Sequence, residues 1–307
     1  MDHDVDVLGN LDTFLCERLS RVVDQALAKV RFGTGADNGF CKLVFHFRSP
    51  AEFDSELING GSTTCICVTD ANTTLVIDAG TGMRMLGKDL MKISPTGHKI
   101  HVLMTHYHWD HLMGFPFFTP AFIKGNEINF YGETKYNLSV QDVFKKQQQF
   151  INFPIELSGM AAKLHFTDIQ ENDEINIGPF KISTAKFNHP AGTLGYRIQS
   201  GNSVFVAATD IEHYAVPDNK LIKLAKDADI LMYDAQFTPE EYPKYIGWGH
   251  STYEEGIKAA QLAGVKELHL CHHAPEHTDE QIDNIQMMAQ MKFAKAFAIQ
   301  EGMEAEI

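Results

Sequence analysis

Histidine and aspartate crowd into one short segment of the chain, His106-Tyr107-His108-Trp109-Asp110-His111. A solvated loop has no need of four potential ligands within six residues. A loop that aims side chains at two adjacent cations does. Imidazole suits divalent zinc, manganese or iron, and a carboxylate adds negative charge and a harder oxygen. The 307-residue chain carries 15 histidines, a high count for its length. Several stand beside short apolar runs: His189 in KFNHPAG, His250 in GWGHSTYEEG, and His272 and His273 in LHLCHH. Asp78 in LVIDAG and Asp210 in SVFVAATD each close an apolar run in the same way.

Those runs are the elements that must position the polar groups. KLVFHF (42–47), TCICV (64–68), TTLVIDAG (73–80) and KIHVLMTH (99–106) read as strands separated by the turn signals NGG, DANT and SPTGH. Further strands are expected at 127–132, 180–187, 194–200 and 203–210, with a helix around Met83–Met91. After Asp210 helices alternate with strands, through LIKLAKDA, DILMYDA, TYEEGIKAAQLAG and VKELHLCHH, to a final helix over 279–300. Ser251 and Glu254 have the spacing of a capping box, and Gly264 is placed to end that helix. Residues 1–39 read differently: Leu11, Leu15, Leu19, Val22, Val23, Ala26, Leu27 and Val30 share one helical face before GTGADNG breaks the pattern. This gives an N-terminal helical extension over 1–39, open to a docking or homodimer role, and a catalytic domain over 40–307.

HxHxDH after a strand, with LVIDAGTG upstream, resembles the metallo-β-lactamase superfamily over roughly residues 40–300. The resemblance implies an α/β, four-layer αββα sandwich with two divalent ions, zinc first and manganese or iron as alternatives. By the same resemblance His106, His108 and His189 bind one ion. Asp110, His111 and His272 bind the other, and Asp210 bridges them. Placement directly after the strand favours His272 over His273 as the last ligand and leaves His273 to support the site or meet substrate. Asp78 is expected to orient a ligand histidine. Redox di-iron relatives carry a glutamate where His108 stands, so this chain is expected to hydrolyse.

Two ions about 3.5–4 Å apart serve phosphodiesters, lactams, lactones and thioesters alike, so the choice among them rests elsewhere. The HST triplet of GWGHSTYEEG resembles the phosphodiesterase branch that includes ribonuclease Z. There a metal-bound hydroxide would attack in line, with Asp110 and Asp210 in the metal centre, His250 assisting the leaving oxygen and Ser251 opening a helix whose N-terminus suits a phosphate. Only 21 positions separate His189 from Asp210, which leaves room for a hairpin and none for a tRNA-gripping arm. The segments LMGFPFFTPAF, FNHPAGTLGYRI and HHAPEHTD look like ribonuclease-Z-like hydrolases of cyclic-nucleotide-phosphodiesterase type, although HFRSPAEFDSE replaces that family's glycine-rich first loop. Trp109, Phe115, Phe117, Phe118, Phe122, Phe150 and Phe153 read as core aromatics before a nucleobase-stacking wall.

Composition narrows the reading further. A net charge of −14 argues against an extended nucleic acid across the surface, and admits a small anion that reaches a cationic centre. Cys16, Cys41, Cys65, Cys67 and Cys271 form no CxxC, and no run approaches a membrane span. The N-terminus lacks a signal-peptide layout, so a cytoplasmic setting is expected. The expected function is hydrolysis of a small phosphodiester, a cyclic nucleotide or short oligonucleotide. The alternatives are a tRNA 3′-end endonuclease, a lactonase or thioesterase, and a metal-containing scaffold with incidental catalysis.

Overall fold

The computed structural model describes residues 62–70 and 73–307, with short strand backbones at 34–35, 38–39 and 42–44. The helix expected in the N-terminal extension, the loop HFRSPAEFDSE, Cys16 and Cys41 lie outside the described residues. Thr34–Gly35 pairs antiparallel with Asn38–Gly39.

Among the described residues, fourteen further strands and five α-helices follow in chain order. They are β1 (Lys42–Val44), β2 (Ile66–Asp70), β3 (Thr73–Ile77), α1 (Gly82–Ile93), β4 (Lys99–Leu103), β5 (Glu127–Glu133), α2 (Val140–Gln147) and β6 (Lys163–Ile169). Then come β7 (Glu174–Ile177), β8 (Phe180–Phe187), β9 (Thr193–Ser200), β10 (Ser203–Ala208), α3 (Asn219–Leu224) and β11 (Ile230–Asp234). Last are α4 (Tyr253–Ala263), β12 (Glu267–Cys271), α5 (Asp279–Lys292), β13 (Ala296–Ala298) and β14 (Glu304–Glu306).

They build two seven-stranded sheets, ordered β14-β1-β2-β3-β4-β5-β6 and β13-β12-β11-β10-β9-β8-β7. Each sheet joins an antiparallel half to a parallel half, β3 to β6 in the first and β10 to β13 in the second. Parallel strands need helical crossovers, and those helices cover the outer faces. The alternation of side chains is direct in β10 and β11. Phe205, Ala207, Ile230 and Met232 enter the core between the sheets, whereas Val206, Ala208, Leu231 and Tyr233 pack against Leu221, Ile257, Ala260 and Ile285 of the outer helices. A strand buried on both faces reads as a continuous apolar run, which is why these strands stand out in the sequence. The architecture is the four-layer αββα sandwich.

The sheets are also tied by polar contacts close to the site. The Tyr196 hydroxyl donates to the Met104 carbonyl, and the Leu194 amide donates to the Thr105 carbonyl at 2.9 Å.

Two expectations are corrected. The final helix stops at Lys292, and residues 296–298 form a parallel edge strand beside β12. The α4 cap is Thr252, whose hydroxyl accepts from the Glu255 amide, so the capping pair stands one residue later than Ser251 and Glu254. Ser251 cannot fill that role because its hydroxyl is held between the Tyr233 hydroxyl and His213 Nδ1, 2.8 Å from each. Gly264 does end the helix, at φ +70°. Cys65, Cys67 and Cys271 are buried free thiols, and burial pushes the Cys67 thiol up to about 12.

Candidate metal centre

Every site segment leaves the carboxyl end of a strand. Asp78 follows β3, the His106–His111 segment follows β4, His189 follows β8, Asp210 follows β10, and His272 follows β12 directly. Asp78, Asp210 and His272 have φ of +61°, +54° and +58°, a region that non-glycine residues rarely adopt. Each turn there swings one side chain sharply out of its strand direction and into the space where the two sheets meet. The His106–His111 loop is seated by backbone contact: Gly114 lies so close to Gly80 that a β-carbon at 114 would overlap the Gly80 carbonyl. The Ala79 amide also donates to the His111 carbonyl at 2.9 Å.

The structure gathers seven of the expected residues into two groups. His106, His108 and His189 form the first, with ligand atoms within 4.8 Å of one another. Asp110, His111, Asp210 and His272 form the second within the same limit. In the second group His272 Nε2 lies 2.9 Å from Asp210 Oδ1, and His111 Nε2 lies 3.2 Å from the Asp210 and Asp110 carboxylates. His273 stands outside both groups. Its imidazole is pushed down to about 4, chiefly by burial and then by the neighbouring His277 and His272 rings.

Hydrogen bonds behind the histidines decide which nitrogen faces inward. The Thr105 hydroxyl donates to Asp78 Oδ2 at 2.8 Å, so it accepts from His106 Nδ1 at 3.0 Å. Asp78 Oδ2 also accepts from His111 Nδ1 at 2.8 Å. The Gly249 carbonyl accepts from His189 Nδ1 at 2.8 Å. Each of these three rings therefore keeps a proton on Nδ1 and turns its Nε2 to the centre. His106 Nε2 is buried and has no hydrogen-bond partner. His108 Nδ1 faces His189 Nε2 at 3.1 Å. A buried acceptor left without a donor, as His106 Nε2 is, is costly unless a cation lies beside it. This donor set fits a divalent metal.

The two groups differ in charge. Burial pushes His106 well below the ordinary imidazole range and brings His189 down to about 4, so both rings are neutral. Burial opposes charge at His111 and His272 as well, but Asp210 and neighbouring carboxylates outweigh it and push both upward. Asp210 itself is held far below the usual range: burial opposes this, and His111 and His272 outweigh it.

Sequence reading passed over Asp234. It is fully buried, ends β11, and accepts from His250 Nδ1 at 2.8 Å and from the Ser251 amide at 3.1 Å. Asp234, His250 and His272 offer a third close-set trio, and the His250 ring stacks on His272 at 4.7 Å between centroids. One signal was available, since LMYD closes a strand on aspartate just as LVID and AATD do. Ser251 is buried and supports Asp234 from its backbone, with no face open to a substrate. Of the aromatic run, Phe115 and Phe118 are fully buried core residues, while Trp109 is 63% and Phe150 75% exposed.

Comparison with known proteins agrees with this geometry. Residues 73–273 match the family described as beta-lactamase superfamily domain. Ribonuclease Z of Prochlorococcus marinus is 24% identical over 285 residues, covering 76% of this chain and 89% of that protein. The metallo-beta-lactamase fold protein YhfI from Bacillus subtilis superposes with a TM-score of 0.66 at 20% identity, over 87% of this chain and 99% of the other. A diphosphatase from the PhnP family gives 0.62 at 16% identity, over 87% and 97%.

Proposed function

As this chain belongs to the beta-lactamase superfamily and is a metallo-hydrolase, we propose that it cleaves a small phosphodiester, a cyclic nucleotide or short oligonucleotide, at a centre of two divalent ions. His106, His108 and His189 would hold one ion, and Asp110, His111, Asp210 and His272 the other, zinc being the first choice for this ligand set. When bound, such ions supply Lewis acidity toward a phosphoryl oxygen and activation of the attacking water.

The observation that carries the reading is the Asp234–His250 pair. Its imidazole stacks on His272 and lies 5.3 Å from the His189 ring between centroids, so it stands beside both groups. Asp234 fixes a proton on His250 Nδ1, which leaves Nε2 to carry the proton that a departing oxygen requires. A thioester needs less help at this point, because its sulfur leaves as a stable thiolate. The ribonuclease Z relative and the diphosphatase neighbour support phosphorus chemistry. Small size is supported by the stretch from His189 to Asp210, which holds only the β9–β10 hairpin, and by the net charge of −14.

Zinc-loaded protein should turn over nitrophenyl and alkyl phosphodiesters and cyclic nucleotides, and leave lactones, thioesters and precursor tRNA little changed. His250→Ala should lower turnover of alkyl diesters by about 10²–10⁴-fold. It should affect nitrophenyl diesters far less, because nitrophenolate leaves without a proton. Equal losses on both leaving groups would remove the general-acid role. Preferred cleavage of precursor tRNA would replace the small-substrate reading.

A further inference from the structure

Glu212 is a buried carboxylate just past Asp210 that the chemistry above does not use. Both of its oxygens point at the loop that carries His250. Oε1 accepts from the Gly247 amide at 2.6 Å and from the Tyr242 hydroxyl at 2.9 Å, and Oε2 accepts from the Gly249 amide at 2.9 Å. Its own amide donates to the Asn188 carbonyl at 2.8 Å, one residue before His189. Gly249 closes the circuit, since its carbonyl accepts from His189 Nδ1 at 2.8 Å. With φ +94° and a hypothetical β-carbon overlapping His189 and Pro190, Gly249 admits no other residue without displacement.

We propose that Glu212 is a positioning residue: by clamping the Gly247 and Gly249 amides it aims the Gly249 carbonyl at His189 and so sets which nitrogen His189 offers to a metal ion. The clamp ties three segments far apart in sequence: the one that follows Asp210, the one that precedes His189, and the one that presents His250. Peptide N–H groups are neutral donors, and a carboxylate holds them more firmly than an amide oxygen does. Replacing Glu212 by Gln keeps the shape but takes an acceptor away. Whichever way the amide turns, an NH₂ group meets an N–H or O–H donor. The inference rests on the reading of the two groups as a metal centre.

The test is a zinc titration of metal-free wild type and Glu212→Gln against a chromogenic chelator, with ¹⁵N-histidine NMR of the metal-free proteins. Wild type should take up zinc in two steps. E212Q should weaken the step assigned to the three-histidine group by about 10–100-fold and leave the other within a few-fold. The His189 Nδ1 proton, identified by its loss in His189→Gln, should give a slowly exchanging resonance in wild type and exchange faster in E212Q. Tyr242→Phe, which keeps both amide contacts, should retain wild-type uptake. Unchanged zinc affinity and an unchanged His189 proton in E212Q would overturn the proposal, as would an equal loss in Y242F. Wild type that takes up no zinc would overturn the metal centre itself and this inference with it. If E212Q does not fold, Glu212→Asp, one methylene short of the loop, takes its place: a weakened first step with faster proton exchange supports the clamp, and wild-type behaviour overturns it.

Discussion

The two ligand groups use the same residue types and the same two sheets, yet they are built on different supports. The second group is fixed by the core. Asp78, fully buried at the end of β3, holds His111 by a carboxylate–imidazole contact and accepts the Thr105 amide and hydroxyl as well. The first group is fixed in part by a loop. His189 is aimed by one backbone carbonyl at Gly249, itself held by Glu212, and His108 is solvent-exposed. Charge follows the same division. Asp110 and Asp210 bring two carboxylates to the second group, whereas the first group has none. A site whose ligands carry negative charge binds a divalent ion more tightly and demands a rigid frame to keep like charges together. A neutral site tolerates a softer frame, and gives up its ion sooner when that frame moves.

Three substitutions break or sharpen this contrast, in decreasing order of effect. Asp78→Asn should act most strongly, because its NH₂ group would confront the Thr105 and His111 donors. Zinc affinity of the second group should fall by about 10–100-fold. Thermal stability should fall too, since an unsatisfied buried donor costs about 1–3 kcal/mol. Paired metal titration and melting curves would read both, and an unchanged second step would dissolve the distinction between core and loop support. Gly249→Ala should act next and on the other group. Strain at a left-handed position costs about 1–3 kcal/mol, and the new methyl displaces His189. The first zinc step should weaken with little change in the second. Thr278→Ala removes the α5 capping box, which belongs to neither group. It should lower stability by about 1 kcal/mol and leave both zinc steps alone. If it weakened either step, general loss of stability would explain the other two variants.

Much of the fold was legible because its strands are apolar on one face or on both. Phe180–Phe187, Thr193–Ser200 and Ile230–Asp234 stand within a residue of the apolar runs that predict them. The strands that periodicity missed lie at edges or are half exposed. Lys163–Ile169 mixes Lys, His, Thr and Asp with its apolar residues, and Ala296–Ala298 is too short to show a period. The one-residue error at α4 has a tertiary origin, since the Ser251 hydroxyl goes to Tyr233 and His213 and Thr252 becomes the cap.

The sequence by itself determined which residues end strands, and strand ends are where the ligand atoms converge. Apolar runs that close on a polar residue place His106, His189, Asp210 and His272 at strand ends, a local feature, and the resemblance carried by HxHxDH groups them with His108, Asp110 and His111 as the expected ligands. The tertiary structure alone decided that Asp234 holds His250 across 16 positions, that Gly249 holds His189 across 60, and that Glu212 holds Gly247 across 35. A hydrogen bond depends on a few tenths of an ångström and on direction, and neither is encoded in spacing along a chain. Both are set only when the two sheets close and bring those loops together.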